Sequence, residues 1–115
     1  MITTSKTMQA AMAARAQAHA DGLLQDEWAS KLIGILPDGL AARKIFDQAS
    51  NGMFSHNIVI RSIFFERTLQ RWKNWARNLV CVSGGLDLHL LSMPEAKTLN
   101  KFFLDLPTSL DLLKP

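Results

Sequence analysis

Histidine and cysteine are the side chains best suited to nucleophilic or metal chemistry, and this chain has few of them. His19, His56 and His89 lie far apart, and Cys81 is the single cysteine. A structural zinc site gathers Cys and His at short, recurring spacings, and no such spacing occurs here. Asp87 and His89 are two residues apart, which on a helix turns them away from each other. The three histidines therefore read as ordinary polar residues. Cys81 sits between Val80 and Val82, as a buried, inert thiol would. There is no G-x-G-x-x-G, P-loop, H-E-x-x-H or G-x-S-x-G motif. Gly84-Gly85 reads as a helix stop. Glu66 reads as part of a salt-bridged surface, and Glu95 as part of a capping box. The expectation is a chain with no catalytic residues, no metal and no cofactor.

A second chemistry is suggested by FERTLQRWKNWARNL, residues 65–79, where basic and aromatic residues interleave. Arg67, Arg71, Lys73 and Arg77 are the candidate nucleic-acid contacts. The middle of the chain is basic: Arg43, Lys44, Arg61 and these four face only Asp47 and Glu66. From Gly84 onward three lysines meet four acids. At about 100° per residue, Phe65, Leu69, Trp72, Ala76 and Leu79 form one apolar stripe, with Trp75 at its edge. Arg67, Gln70, Arg71, Asn74, Arg77 and Asn78 fall opposite. Trp72 is thus expected in the core and Trp75 half exposed. A helix that stacks bases would put aromatic and basic residues on one face. A recognition helix also contacts bases near its N-terminal end, and that end is apolar here. A solvated basic face is the preferred reading.

The segment before it, NIVIRSIFFE, is apolar on two sides. Ile58 and Phe65 continue the stripe, whereas Val59, Ile60 and Ile63 point elsewhere. Such a patch is either covered by its own domain or by another protein. Val59, Ile60 and Ile63 are the candidate partner-binding residues. A strand over Ile58–Ile63 is the competing local reading, because β-branched residues favour strands. Helix is preferred, since no second alternating run of similar length offers a pairing partner.

These residues must be positioned by helices. The spacing predicts a first, alanine-rich helix from about Ser5 to Ala20, which either packs closely or frays, ending at Asp21-Gly22. A second runs from about Leu23 to Leu36, with Leu24, Trp28, Leu32, Ile35 and Leu36 on one side, and stops at Pro37-Asp38-Gly39. A short third helix spans Leu40 to about Ala49 and ends at Asn51-Gly52. The fourth, capped by Ser55, runs to about Val82. LDLHLLS, residues 86–92, alternates like a short strand. Ser92 and Glu95 have capping-box spacing with Pro94 in the first turn, which predicts a last helix ending by Leu106. Residues 107–115 form a short tail. The fold class expected is all-α: a single domain over 1–115, a small bundle of about five helices around one long central helix.

At 115 residues with 48% hydrophobic and 20% charged residues, the chain can bury a core without disulfides or metal. Net charge is +3 and the sequence pI is near 9.4, modest for a DNA binder. No apolar run approaches the roughly 18 residues of a membrane span. One cysteine fits a reducing compartment, and Arg15 interrupts the N-terminal stretch as a secretory signal, so a cytoplasmic location is expected. The function these features favour is a non-catalytic, protein-binding regulator or inhibitor acting through apolar helix faces, possible as a homodimer. The alternative is a small DNA- or RNA-binding regulator using the basic face.

Overall fold

A computed structural model describes residues 6–36, 38–82 and 89–104 (backbone alone at 82, 91, 92 and 103). The chain is mostly helical. Four α-helices, α1 (Lys6–Ala20), α2 (Glu27–Leu32), α3 (Asp38–Ser50) and α4 (Met53–Trp72), precede strand β1 (Asn78–Val82). Two short 3-10 helices, His89–Ser92 and Pro94–Ala96, lead into strand β2 (Asn100–Leu104). The strands pair in parallel, Asn78 beside Asn100 and Val82 beside Leu104. Ser5, Pro37, Gly84-Gly85, the start of LDLHLLS and the tail 107–115 lie outside the described residues.

The alanine-rich helix is the hub. α1 packs against α2, α3 and α4, and its residues from Gln9 to Ala16 are all buried. Alanine buries little area per residue, but it lets backbones approach closely. Gly39 shows how closely: a Cβ there would lie 2.8 Å from the Gln9 carbonyl oxygen. The long helix expected at the centre packs against α1, α3 and both 3-10 helices, burying Ile58, Ser62 and Leu69, but the other helices do not form a clear bundle around it. Met12, Ala16 and Ala29 make one core cluster, and Ala11, Ala14 and Ile58 another.

α1 is anchored by a buried ion pair. Arg15 Nε lies 3.1 Å from Asp26 Oδ2, with both side chains almost fully buried. Asp26 also caps α2, its Oδ1 accepting from Ala29 N at 3.1 Å. Its own N–H donates to His19 Nδ1 at 3.0 Å. This cap explains why α2 starts at Glu27 rather than Leu23. Leu24 is buried without being helical, and Trp28 is 43% exposed beneath Lys31.

The α3–α4 junction is tight. Asn51 and Gly52 both take positive φ, 55° and 82°, and Gly52 N donates to Asp47 O at 2.8 Å, closing α3 as a Schellman turn. α4 begins at once, two residues before the expected cap Ser55. Its first free N–H groups are satisfied from α3: Phe54 N donates to Ser50 Oγ at 2.9 Å and Ser55 N to Asp47 Oδ1 at 2.9 Å. Ser55 is therefore not the cap.

α4 ends ten residues earlier than its stripe suggests. Trp72 O accepts from both Trp75 N and Ala76 N at 2.9 Å, and the chain then extends into β1. The expected last helix is likewise absent from the described residues. Met93 caps only the 3-10 turn at Pro94, and the chain becomes β2 at Asn100. Each strand is the pairing partner that the other needed. Segments 58–63 are helical, as preferred.

Candidate functional site

A mainly apolar cleft of about 370 Å³ lies at the end of α4. One wall is Phe65, Thr68, Leu69 and Trp72, at i, i+3, i+4 and i+7 on one side of α4. The other wall is β1, from Asn78 to Cys81, with Leu90 and Leu99 at the floor. Beneath it, Leu69, Met93, Ala96 and Leu99 form a third core cluster, against which Ala76, Leu79 and Leu90 pack. His89 is buried beside it and holds the segment to α4, its Nε2 lying 2.9 Å from Glu66 Oε2.

Strand geometry sorts β1 into two faces. Leu79 turns to the core cluster. Val80 turns the other way and lies beside Phe102 in the register, with Leu104 two residues on. Val80 is 51%, Phe102 53% and Leu104 59% exposed. Trp72 is 50% and Trp75 80% exposed. Trp72 is thus a cleft wall and not the centre of a core, because α4 stops at it and no element of the described residues covers its outer side.

The sequence-derived candidates fall as follows. Ile60 is exposed, in line with exposed Met53 and Phe64 along α4, while Val59 and Ile63 are half-buried. Val59 lines a hollow shared with Ala14 and Ala18 of α1. Arg67, Arg71, Lys73 and Arg77 are all exposed, and no ion pair involves them among the described residues. The Arg71 guanidinium lies 5.6 Å from the Trp72 ring centre. Basic and aromatic groups expected on opposite sides therefore meet at the end of α4. β1 and β2 were the elements that sequence reasoning missed; the signal for β1 was the run Leu-Val-Cys-Val, which suits a strand better than a helix.

A polar cluster joins α3 to α4. Ser55 Oγ donates to Asp47 Oδ2 at 2.6 Å and Arg43 Nε to Ser55 Oγ at 3.0 Å. Burial acts to raise the Asp47 carboxyl, but the Ser55 hydroxyl and N–H and the Arg43 guanidinium outweigh it and hold it below the usual carboxylate value. A carboxylate so stabilised is a poor base for its serine, and the cluster works as a clasp. Among the described residues, no group of three or more His, Cys, Asp or Glu side chains could hold a metal ion. No described helix is long and apolar enough to cross a membrane. Compared with protein-family models, with curated proteins and with solved structures, the chain matches none.

Proposed function

We propose that this chain is a non-catalytic, cytoplasmic protein-binding regulator or inhibitor, and that its docking surface is the β1–β2 end of the molecule. The observation that carries this reading is the outer face of the sheet. Parallel sheets normally have both faces covered, yet here Val80, Phe102 and Leu104 share a face and each is more than half exposed. A two-stranded sheet is marginal by itself, and exposed apolar surface of this kind is ordinarily covered by a partner. Ile60 and Phe64 on α4 are also exposed apolar residues. The partner is a different polypeptide; a second copy of this chain is the competing occupant.

The test is affinity purification of the tagged protein from its own cells, with and without nuclease, beside the variant Phe102→Asp with Leu104→Asp. A stoichiometric protein that survives nuclease and is lost from the variant is the expected result. The same protein recovered with both forms would overturn the reading. Sedimentation velocity of the purified chain separates self-association from a foreign partner.

One observation favours a second reading, a small DNA- or RNA-binding regulator. Arg71, Lys73 and Arg77 stand beside exposed Trp72 and Trp75, an arrangement that suits base stacking within a basic groove. Binding of this kind would weaken steeply with salt, whereas docking carried mainly by apolar contacts would weaken less. Arg67→Glu is expected to leave the principal partner bound; loss of bound single-stranded or duplex nucleic acid at moderate salt would favour the second reading instead.

A further inference from the structure

Among the described residues β1 is paired on one edge, with β2. The register shows which backbone groups face the other edge. Asn100 N donates to Arg77 O at 2.9 Å, and Asn78 lies beside Asn100. In a parallel ladder the groups of alternate residues point to the same neighbour. Those of Arg77 and Leu79 therefore point to β2, and those of Asn78 and Val80 point away from it. Both Asn78 and Val80 are exposed, and both line the cleft. Lys101, beside Leu79 in the register, does not line it. The cleft thus runs along the edge of β1 remote from β2, with Phe65, Leu69 and Trp72 of α4 as its opposite wall. A groove between a helix and an open strand edge is a geometry in which sheets take up extended peptides: the edge supplies main-chain hydrogen bonds and the groove takes alternate side chains. The rim carries charge of one sign. Arg71 lies over Trp72, Lys73 and Arg77 are exposed, and no acid occurs between Arg67 and Arg77.

We propose that this groove receives an extended segment of the partner protein as a third strand on β1. Its alternate side chains are apolar and fill the cleft, and acidic residues flank them and meet Arg71, Lys73 and Arg77. The proposal rests on the protein-binding reading and names the partner's chemistry. The basic rim selects against a basic segment, and the outward N–H and C=O groups of Asn78 and Val80, which no strand pairs among the described residues, select an extended backbone over a helix.

The probe is a fluorescein-labelled peptide pool of pattern DE-x-S-x-S-x-DE, with Val, Ile, Leu or Phe at x, followed by fluorescence anisotropy. The intact protein is expected to bind it. N-methylation of one alternate set of peptide amides should abolish binding, and methylation of the other set should leave it. The same pool with Lys in place of Asp and Glu should bind at least about tenfold more weakly, and Arg71→Glu with Lys73→Glu should reverse that preference. Val80→Pro removes an outward N–H without touching the ladder to β2 and should weaken binding about tenfold. Should Val80→Pro unfold by circular dichroism, the methylated peptides on the unaltered protein decide the matter. Equal binding of both methylated sets, or of both charge forms, overturns the proposal. So does failure of the whole pool to bind. If the pool fails while a cellular protein is still lost on Phe102→Asp with Leu104→Asp, the docking reading stands and only the added strand is wrong. If that protein is retained by the variant, the docking reading fails separately.

Discussion

Asp26 meets three polar needs at once: the Arg15 guanidinium, the Ala29 N–H and, through its own N–H, the ring of His19. Removing one partner of a buried ion pair leaves the other charge stranded. Asp26→Ala is therefore expected to cost about 3–5 kcal/mol, read as a lowered urea midpoint; a midpoint equal to that of the unaltered protein would show that α1 does not depend on the pair. Asp47 gives a pH dependence with a definite sign. Its carboxyl is held below the ordinary value, chiefly by Ser55 once the opposing effect of burial is overcome. A lowered acid stabilises the fold above its unfolded value, near 3.9, and loses that contribution as pH falls through the folded value. The stability difference between the natural chain and Asp47→Asn should be constant from pH 7 to about 5 and shrink below about 4. Thermal melts across that range check it, and a gap that widened on acidification would contradict the sign.

At the scale of elements, the contact between α1 and α3 depends on a missing side chain. Gly39 is buried, and a Cβ there would meet the Gln9 carbonyl at 2.8 Å, a backbone atom that cannot swing aside. Gly39→Ala should destabilise by about 1–3 kcal/mol, although alanine is the better helix former. Gly34→Ala is the control, since its added Cβ would find only an ordinary 3.6 Å contact with Lys31 O. Equal melting temperatures for the two variants would mean that the helices separate at little cost. The end of α4 is the other consequential element boundary. Because the helix stops at Trp72, that ring becomes a cleft wall and brings Arg71 to the rim.

At the scale of the molecule, burial is divided. The clusters around Met12 and Ile58 tie α1 to α2 and α4, whereas Leu69, Met93, Ala96 and Leu99 hold the strand end. The two strands pack chiefly on each other. Local openings follow such divisions. Leu69→Ala, a buried large-to-small change worth about 2–5 kcal/mol, should speed amide exchange in β1 and β2 by more than in α1. Uniform acceleration throughout the chain would show instead that the molecule opens as one unit. A sheet that opens readily is also one that a third strand can stabilise, which links this prediction to the docking surface.

What the chain's own order determined is what local demands decide. Asp21-Gly22 and Asn51-Gly52 were legible as helix ends because glycine and asparagine tolerate the positive φ that such an end calls for, as found at Gly22, Asn51 and Gly52. Helix was preferred for 58–63 because no second alternating run offered a strand partner, and the inward side of Ile58 and Leu69 was legible from a 3.6-residue period. Leu79 fitted that period too, yet it packs inward from a strand. A strand exists only when another lies beside it, and the partner of Asn78–Val82 is Asn100–Leu104, beyond the range of any local pattern. The central place of α1 was hidden for a related reason: alanine signals helix but not what it packs against, and the Arg15–Asp26 pair joins residues that no spacing rule connects. The cleft, the open edge and the basic rim all follow from where α4 stops, and tertiary structure decided that by pairing the strands.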